Sequence, residues 1–389
     1  MYKAFVGGKI ITPFRIIKEG SIVVEDNKIV QLGDAKDVQI PADCQTIDTR
    51  GKAVCPGFVD LLIHGALGHG FSDGGDEEYE IISQHFLKHG STTLLGSLHG
   101  KPPQEMFENV NRLARYIKKH PQSNIKGIHL EGPYLNKTFK GAMNEDWLWE
   151  PTLDSWKQLW DASEGLIKLM TIAPELPGAI DVIREASKVG VIASIGHSTA
   201  GYRDIELAID NGAAHVTHMF NAMSPLHHRE PGVALAALLR DELKIELIAD
   251  TYHVHPATME FLLKVKKPGG IILITDSITP GGMHEGEEFK FANQTVRIKN
   301  GKAMLDDGTI AGSSLTLNYA VKNMVESAGA RITEAVRMAS LNGARVLNVE
   351  RQKGILAVGK EADMVVLGDD YAVDMTIIQG EIVYRKDGN

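Results

Sequence analysis

In this 389-residue chain the residues whose types and placement suit chemistry are Glu131, His197, His218 and Asp276, each set where an apolar run gives way to a turn. The flanking text is KGIHLEGP around Glu131, VIASIGHS at His197, AAHVTHMFNAM around His218 and GIILITDS at Asp276. Singly, each has a plain structural explanation: a carboxylate at a surface turn, a hydrogen-bonded histidine at a strand end, an aspartate capping a helix. Taken together, one carboxylate and two imidazoles form a reasonable set for zinc or ferrous iron, with positions left open for water and substrate. A metal lowers the pKa of a water it holds toward neutrality, so a nearby carboxylate such as Asp276 is suited to take that proton.

Residues so far apart in sequence meet only if the elements that carry them converge. In a barrel of parallel strands the carboxyl ends of all strands open on one mouth, where the chemistry is done. From about residue 55 to 345 apolar strand-like runs alternate with helix-like stretches: GFVDLLIHG, STTLLGSL, NIKGIHLEGP, LIKLMTIAPE, VIASIGHS, HVTHMF, KIELIAD and GIILITDS make eight. Eight such repeats predict a (β/α)8 TIM-like barrel. Residues 1–54 and 346–389 carry short β-branched runs broken by Gly, Asn and Asp, which predicts a small discontinuous β-sandwich domain built from both chain ends.

Composition sets limits on the partners. A net charge of −9 disfavours a nucleic-acid partner, because binding a phosphate backbone needs a basic face. No apolar run approaches the roughly 20 residues that span a bilayer, which argues against a membrane partner. Two cysteines, Cys44 and Cys55, make no disulfide framework, and with no signal-like amino terminus the expected location is cytoplasmic.

The set PGFVD…H, HLEGPYL, GHS, VTHMFNAM, HHREPG, ADTYHV, ITDS and GKEADMVVL resembles the N-acetylglucosamine-6-phosphate deacetylase branch of the amidohydrolase superfamily, over essentially the whole chain. The resemblance implies metal-dependent removal of acetate from the sugar's amide, leaving glucosamine 6-phosphate. It implies one divalent metal per subunit, Zn2+ or Fe2+, on Glu131, His197 and His218, with Asp276 as the acid–base that also protonates the leaving amine. It further implies a homodimer or homotetramer in which a neighbouring subunit helps to hold the phosphate. The loop from Asn221 to Gly232 is the expected phosphate and sugar reader: Arg229 offers a rigid fork for phosphate oxygens, and Asn221 with the Ala222 amide adds neutral donors. Of the adjacent His227 and His228, His228 is placed among the substrate-binding residues, although nothing in the sequence separates the two. His253 matches a family histidine that contacts substrate.

Two departures bear on these expectations. Many amidohydrolases carry Asp-x-His-x-His on the first strand, whereas here the stretch is Asp60-Leu61-Leu62-Ile63-His64. Leu62 ligates nothing, so a second metal loses a usual partner, and His64 is left as a weak second-site ligand, a water-positioning group or a structural residue. Met143, counted with the substrate-binding residues, stands where some relatives have a histidine, and it donates no hydrogen bond. The alternatives are an N-acetylgalactosamine-6-phosphate deacetylase, another N-acyl amidohydrolase, or a catalytically lapsed barrel kept as a scaffold. His129 is expected as a buried or supporting histidine, Ala173-Pro174-Glu175 and Ala311-Gly312-Ser313-Ser314 as pocket lining, and Trp147 and Trp149 as packing or an oligomer contact.

Overall fold

The computed structural model describes residues 1–278, 286–299, 302–306 and 308–386. Part of the expected 280–310 excursion, and residues 387–389, lie outside the described residues. Eight parallel strands form the barrel sheet: β1 Phe58–Ile63, β2 Ser91–His99, β3 Ile125–Glu131, β4 Ile167–Ile172, β5 Ile192–Ile195, β6 Ala213–Val216, β7 Lys244–Ile248 and β8 Ile271–Ile274, in sequential order. Every residue of β1, β2 and β8 is buried. Strands covered on both faces have no solvent side, which is why these segments are rich in apolar residues and the polar ones among them, such as Asp60 and Ser97, are buried as well. Closure comes where β8 ends beside β1: Asp276 N donates to Leu62 O at 2.9 Å, and His64 N donates to Ser277 O at 2.7 Å.

Helices follow the strands because their apolar residues recur at helical spacing. In Pro103–Lys119 the buried side chains are Met106, Asn109, Val110, Leu113, Ala114, Tyr116 and Ile117, a single stripe, and Pro103 stands in the first turn, where its missing N–H costs no hydrogen bond. After β8 a four-stranded antiparallel sheet, Glu288–Phe291, Gln294–Lys299, Lys302–Leu305 and Ile310–Gly312, is inserted. Its first turn holds Ala292 and Asn293 at φ 48° and 64°, the left-handed pair that a tight hairpin requires.

Contacts divide the chain into two units, one of Met1–Asp60, Gln84–Thr93 and Thr316–Asn389, the other of Leu61–Ser83 and Leu94–Leu315. In the first, both chain ends share one eight-stranded sheet, a small β-sandwich with Phe5, Ile22, Val24, Ile29, Val54, Met364, Val366 and Ile377 in its core. The two ends join where Ala53–Pro56 pairs antiparallel with Met364–Leu367, Cys55 opposite Val365. Among the described residues no helix is long and apolar enough to cross a membrane.

Candidate metal centre

Glu131 is the last residue of β3, and His64 directly follows β1. His197, His218 and Asp276 each lie two residues beyond the ends of β5, β6 and β8, with φ of 48°, 29° and 50°. Left-handed backbone is uncommon for residues with a side chain and costs on the order of 1 kcal/mol or more each. Three such turns at corresponding strand ends aim three side chains into one mouth.

There the side chains meet. His218 Nε2 lies 3.0 Å from Glu131 Oε1 and 3.0 Å from His197 Nε2, and His197 Nε2 is 3.4 Å from Glu131 Oε1. His64 Nε2 contacts the other oxygen, Glu131 Oε2, at 2.8 Å and stands 3.8 Å from Asp276 Oδ1. His197 is oriented from its far side: Nδ1 donates to Phe139 O at 2.7 Å, which turns Nε2 inward. A carbonyl behind a ligating histidine is the usual device for orienting one.

The electrostatics agree. Burial resists charge on Glu131, yet His64, His197 and His218 hold its carboxyl well below the usual carboxylate range. Burial also lowers His218, but the hydrogen bond and charge of Glu131 outweigh it and raise the imidazole to about 9. Burial and then the neighbouring Glu131 push Asp276 above the ordinary carboxylate range. The cluster therefore calls for positive charge at the point where three ligand atoms converge, and a divalent cation supplies it in place of protons. Glu131, His197 and His218 fit a metal; His64, Glu131 and Asp276 form a second, overlapping group of the same kind.

The centre lies in the wall of a cavity of about 550 Å³. Asn221, Ala222, His253 and Met143 line it, as do Ala311 and Gly312. His253 Nδ1 sits 2.6 Å from Asp250 Oδ2, which fixes the ring. His228 and Arg229 do not line the cavity: both are exposed, with Arg229 Nη1 3.0 Å from His228 Nε2. Glu175 also stays off the wall and braces the turn after His197, accepting from Ser198 Oγ at 2.7 Å and Thr199 N at 2.6 Å. Trp147 stacks on the ring of the buried His99, and Trp149 Nε1 donates to Lys101 O at 3.0 Å.

Other wall residues carry no signal in the amino-acid sequence. The segment from Lys137 to Ala142, leading into Met143, folds over the centre, close enough that a side chain on Gly141 would meet His197 Cε1 at 3.3 Å. Phe291, from the inserted sheet, packs edge-on against His64 with centroids 5.6 Å apart.

A parallel barrel with carboxylate and imidazole side chains that could hold a metal at its carboxyl-end mouth defines the metal-dependent hydrolase class of TIM barrels. The chain belongs to the amidohydrolase family, whose profile matches residues 53–383. It is 33% identical over 386 residues to the N-acetylglucosamine-6-phosphate deacetylase of Bacillus subtilis (strain 168), covering 96% of this chain and 95% of that protein. It is 32% identical to an N-acetylgalactosamine-6-phosphate deacetylase of Escherichia coli O157:H7, over 88% of this chain and 90% of that one. Among solved structures, a mutant N-acetyl-D-glucosamine-6-phosphate deacetylase from Mycobacterium smegmatis, in complex with N-acetyl-D-glucosamine-6-phosphate, superposes with a TM-score of 0.92 at 33% identity, covering 98% of this chain and 99% of that one.

Proposed function

We propose that this enzyme hydrolyses the acetamide of N-acetyl-D-glucosamine 6-phosphate, releasing acetate and D-glucosamine 6-phosphate. The observation that carries the reading is the convergence of Glu131, His197 and His218 with Asp276 in one cavity, in a chain similar along its whole length to deacetylases of that substrate. The metal, Zn2+ or Fe2+, belongs on Glu131, His197 and His218; bound there it supplies Lewis acidity for the carbonyl and for water.

The remaining work falls to the chain's own side chains. Asp276, raised by burial and by Glu131, accepts the proton of the attacking water and returns it to the departing nitrogen. His64, between Glu131 and Asp276, holds the water in line and contributes no more than a weak second metal position, since Leu62 offers no ligand. Asn221, the Ala222 amide and His253 read the sugar's polar groups, and Met143 forms an apolar part of the wall. Arg229, exposed on its own subunit, reaches the phosphate of a neighbouring subunit in a homodimer or homotetramer. The setting is the cytoplasm, in amino-sugar breakdown.

The test is acetate release from N-acetyl-D-glucosamine 6-phosphate by chelated protein before and after addition of Zn2+ or Fe2+. Turnover that appears only with metal supports the reading, and turnover indifferent to metal removes it.

A further inference from the structure

Beneath the metal centre the barrel interior holds a line of polar side chains. His129 Nδ1 donates to Leu61 O at 2.9 Å, and its Nε2 lies 2.8 Å from Thr171 Oγ1. Thr171 Oγ1 lies 2.8 Å from Thr217 Oγ1, Thr217 Oγ1 lies 2.6 Å from Ser194 Oγ, and Ser194 Oγ lies 3.3 Å from His215 Nδ1. The line ends at Glu246, whose Oε1 lies 3.7 Å from His215 Nδ1 and has no hydrogen-bond partner among the described residues.

Glu246 sits in the middle of β7 and is fully buried. Its Oε2 accepts the amide of His218 at 3.2 Å, and its main-chain carbonyl accepts the amide of Met219 at 2.9 Å. Thr217, on the other side of His218, is tied into the hydroxyl line. A buried carboxyl with one unpartnered oxygen is expensive, and stability alone favours an apolar residue in β7.

We infer that Glu246 is a positioning residue, whose side-chain and main-chain oxygens clamp the left-handed turn at His218 and thereby aim its imidazole at the metal. The inference rests on the reading of His218 as a metal ligand. It requires an acceptor at the Glu246 side chain, whatever its charge, so Glu246→Gln and Glu246→Met separate acceptor from bulk. Removing a group that orients a metal ligand weakens metal binding roughly 10- to 100-fold. Glu246→Met is therefore expected to lose Zn2+ affinity by that factor in chelator competition and to change the visible absorption of the Co2+-loaded protein. Glu246→Gln is expected to restore both.

A Met variant with native Zn2+ affinity and an unchanged Co2+ spectrum overturns the inference, as does a Gln variant as weak as Met. If circular dichroism shows the Met variant unfolded, Glu246→Asp, which draws the acceptor back by a methylene, carries the same comparison against Gln. Native protein that binds neither ion brings down the metal reading and this inference together, whereas native binding with indifferent variants removes this inference alone.

Discussion

Replacing Asp276 by Asn isolates the carboxylate from everything else the residue does. The main chain at 276 is held on both sides: its N–H donates to Leu62 O and its carbonyl accepts from Ser313 N, both at 2.9 Å. Asparagine is the same size and tolerates the φ of 50° better than most side chains. The turn and the barrel closure survive the change, and Glu131, His197 and His218 form their group without the aspartate. What is lost is a proton acceptor and donor, and a positioned acid–base contributes roughly 10²- to 10⁴-fold, about 3 to 5.5 kcal/mol of barrel-mouth catalysis. Steady-state acetate release should show kcat reduced by that factor, with KM within roughly threefold because the group acts on protons and not on sugar binding. Metal content, measured on the same sample, should stay at the native value. A variant that keeps more than a tenth of native kcat, or one that loses its metal, refutes the assignment.

If His197 is a ligand of the metal, chelator competition on His197→Ala should show metal affinity falling by more than the roughly 100-fold ceiling typical of supporting residues, whereas undiminished affinity would place the metal elsewhere. If Arg229 serves a neighbouring subunit, mixing the two inactive variants Arg229→Ala and Asp276→Asn and allowing subunits to exchange should recover part of the activity, because one hybrid site has both groups. No recovery in a demonstrated hybrid oligomer would confine Arg229 to its own chain. Stability should also fall in mild acid. His85 is buried and held down to about 4 by burial and by His89, while its unfolded value lies near 6.5. Between those values the unfolded chain takes up a proton that the folded one does not, so stability is lost as pH drops below 6.5, by about 2 kcal/mol at pH 5 for this group. Urea midpoints at pH 7 and pH 5 should therefore differ less in His85→Leu than in the native protein; an unchanged difference would show that His85 is not the group involved.

The barrel was legible because buried parallel strands leave largely apolar text, as in FVDLLI and IILIT, and because Glu131, His197, His218 and Asp276 stand where that text stops. The pairing of the two chain ends was legible for the same kind of reason, since Val54 and Cys55 face Val366 and Val365 across one ladder. The segment folded over His197 was not, apart from Met143, because the stretch from Lys137 to Ala142 has no periodicity and is placed by contacts that its own sequence does not encode. The inserted sheet was missed where strands such as Glu288–Phe291, four residues long and only partly buried, are too short to show a clear periodicity. Glu246 was missed because a glutamate amid Ile and Leu reads as one solvent-facing position of an alternating strand. The available signal was the fold itself: a barrel strand covered on both faces has no solvent side, so a mid-strand glutamate must be buried with partners.

The substrate assignment is decided by kcat/KM for acetate release from metal-loaded protein, on N-acetylglucosamine 6-phosphate, its galactosamine epimer and unphosphorylated N-acetylglucosamine. A large preference for the first over both others is expected. A preference for the galactosamine epimer would reassign the sugar, and no turnover of any of the three would contradict the proposed activity and turn attention to other N-acyl substrates.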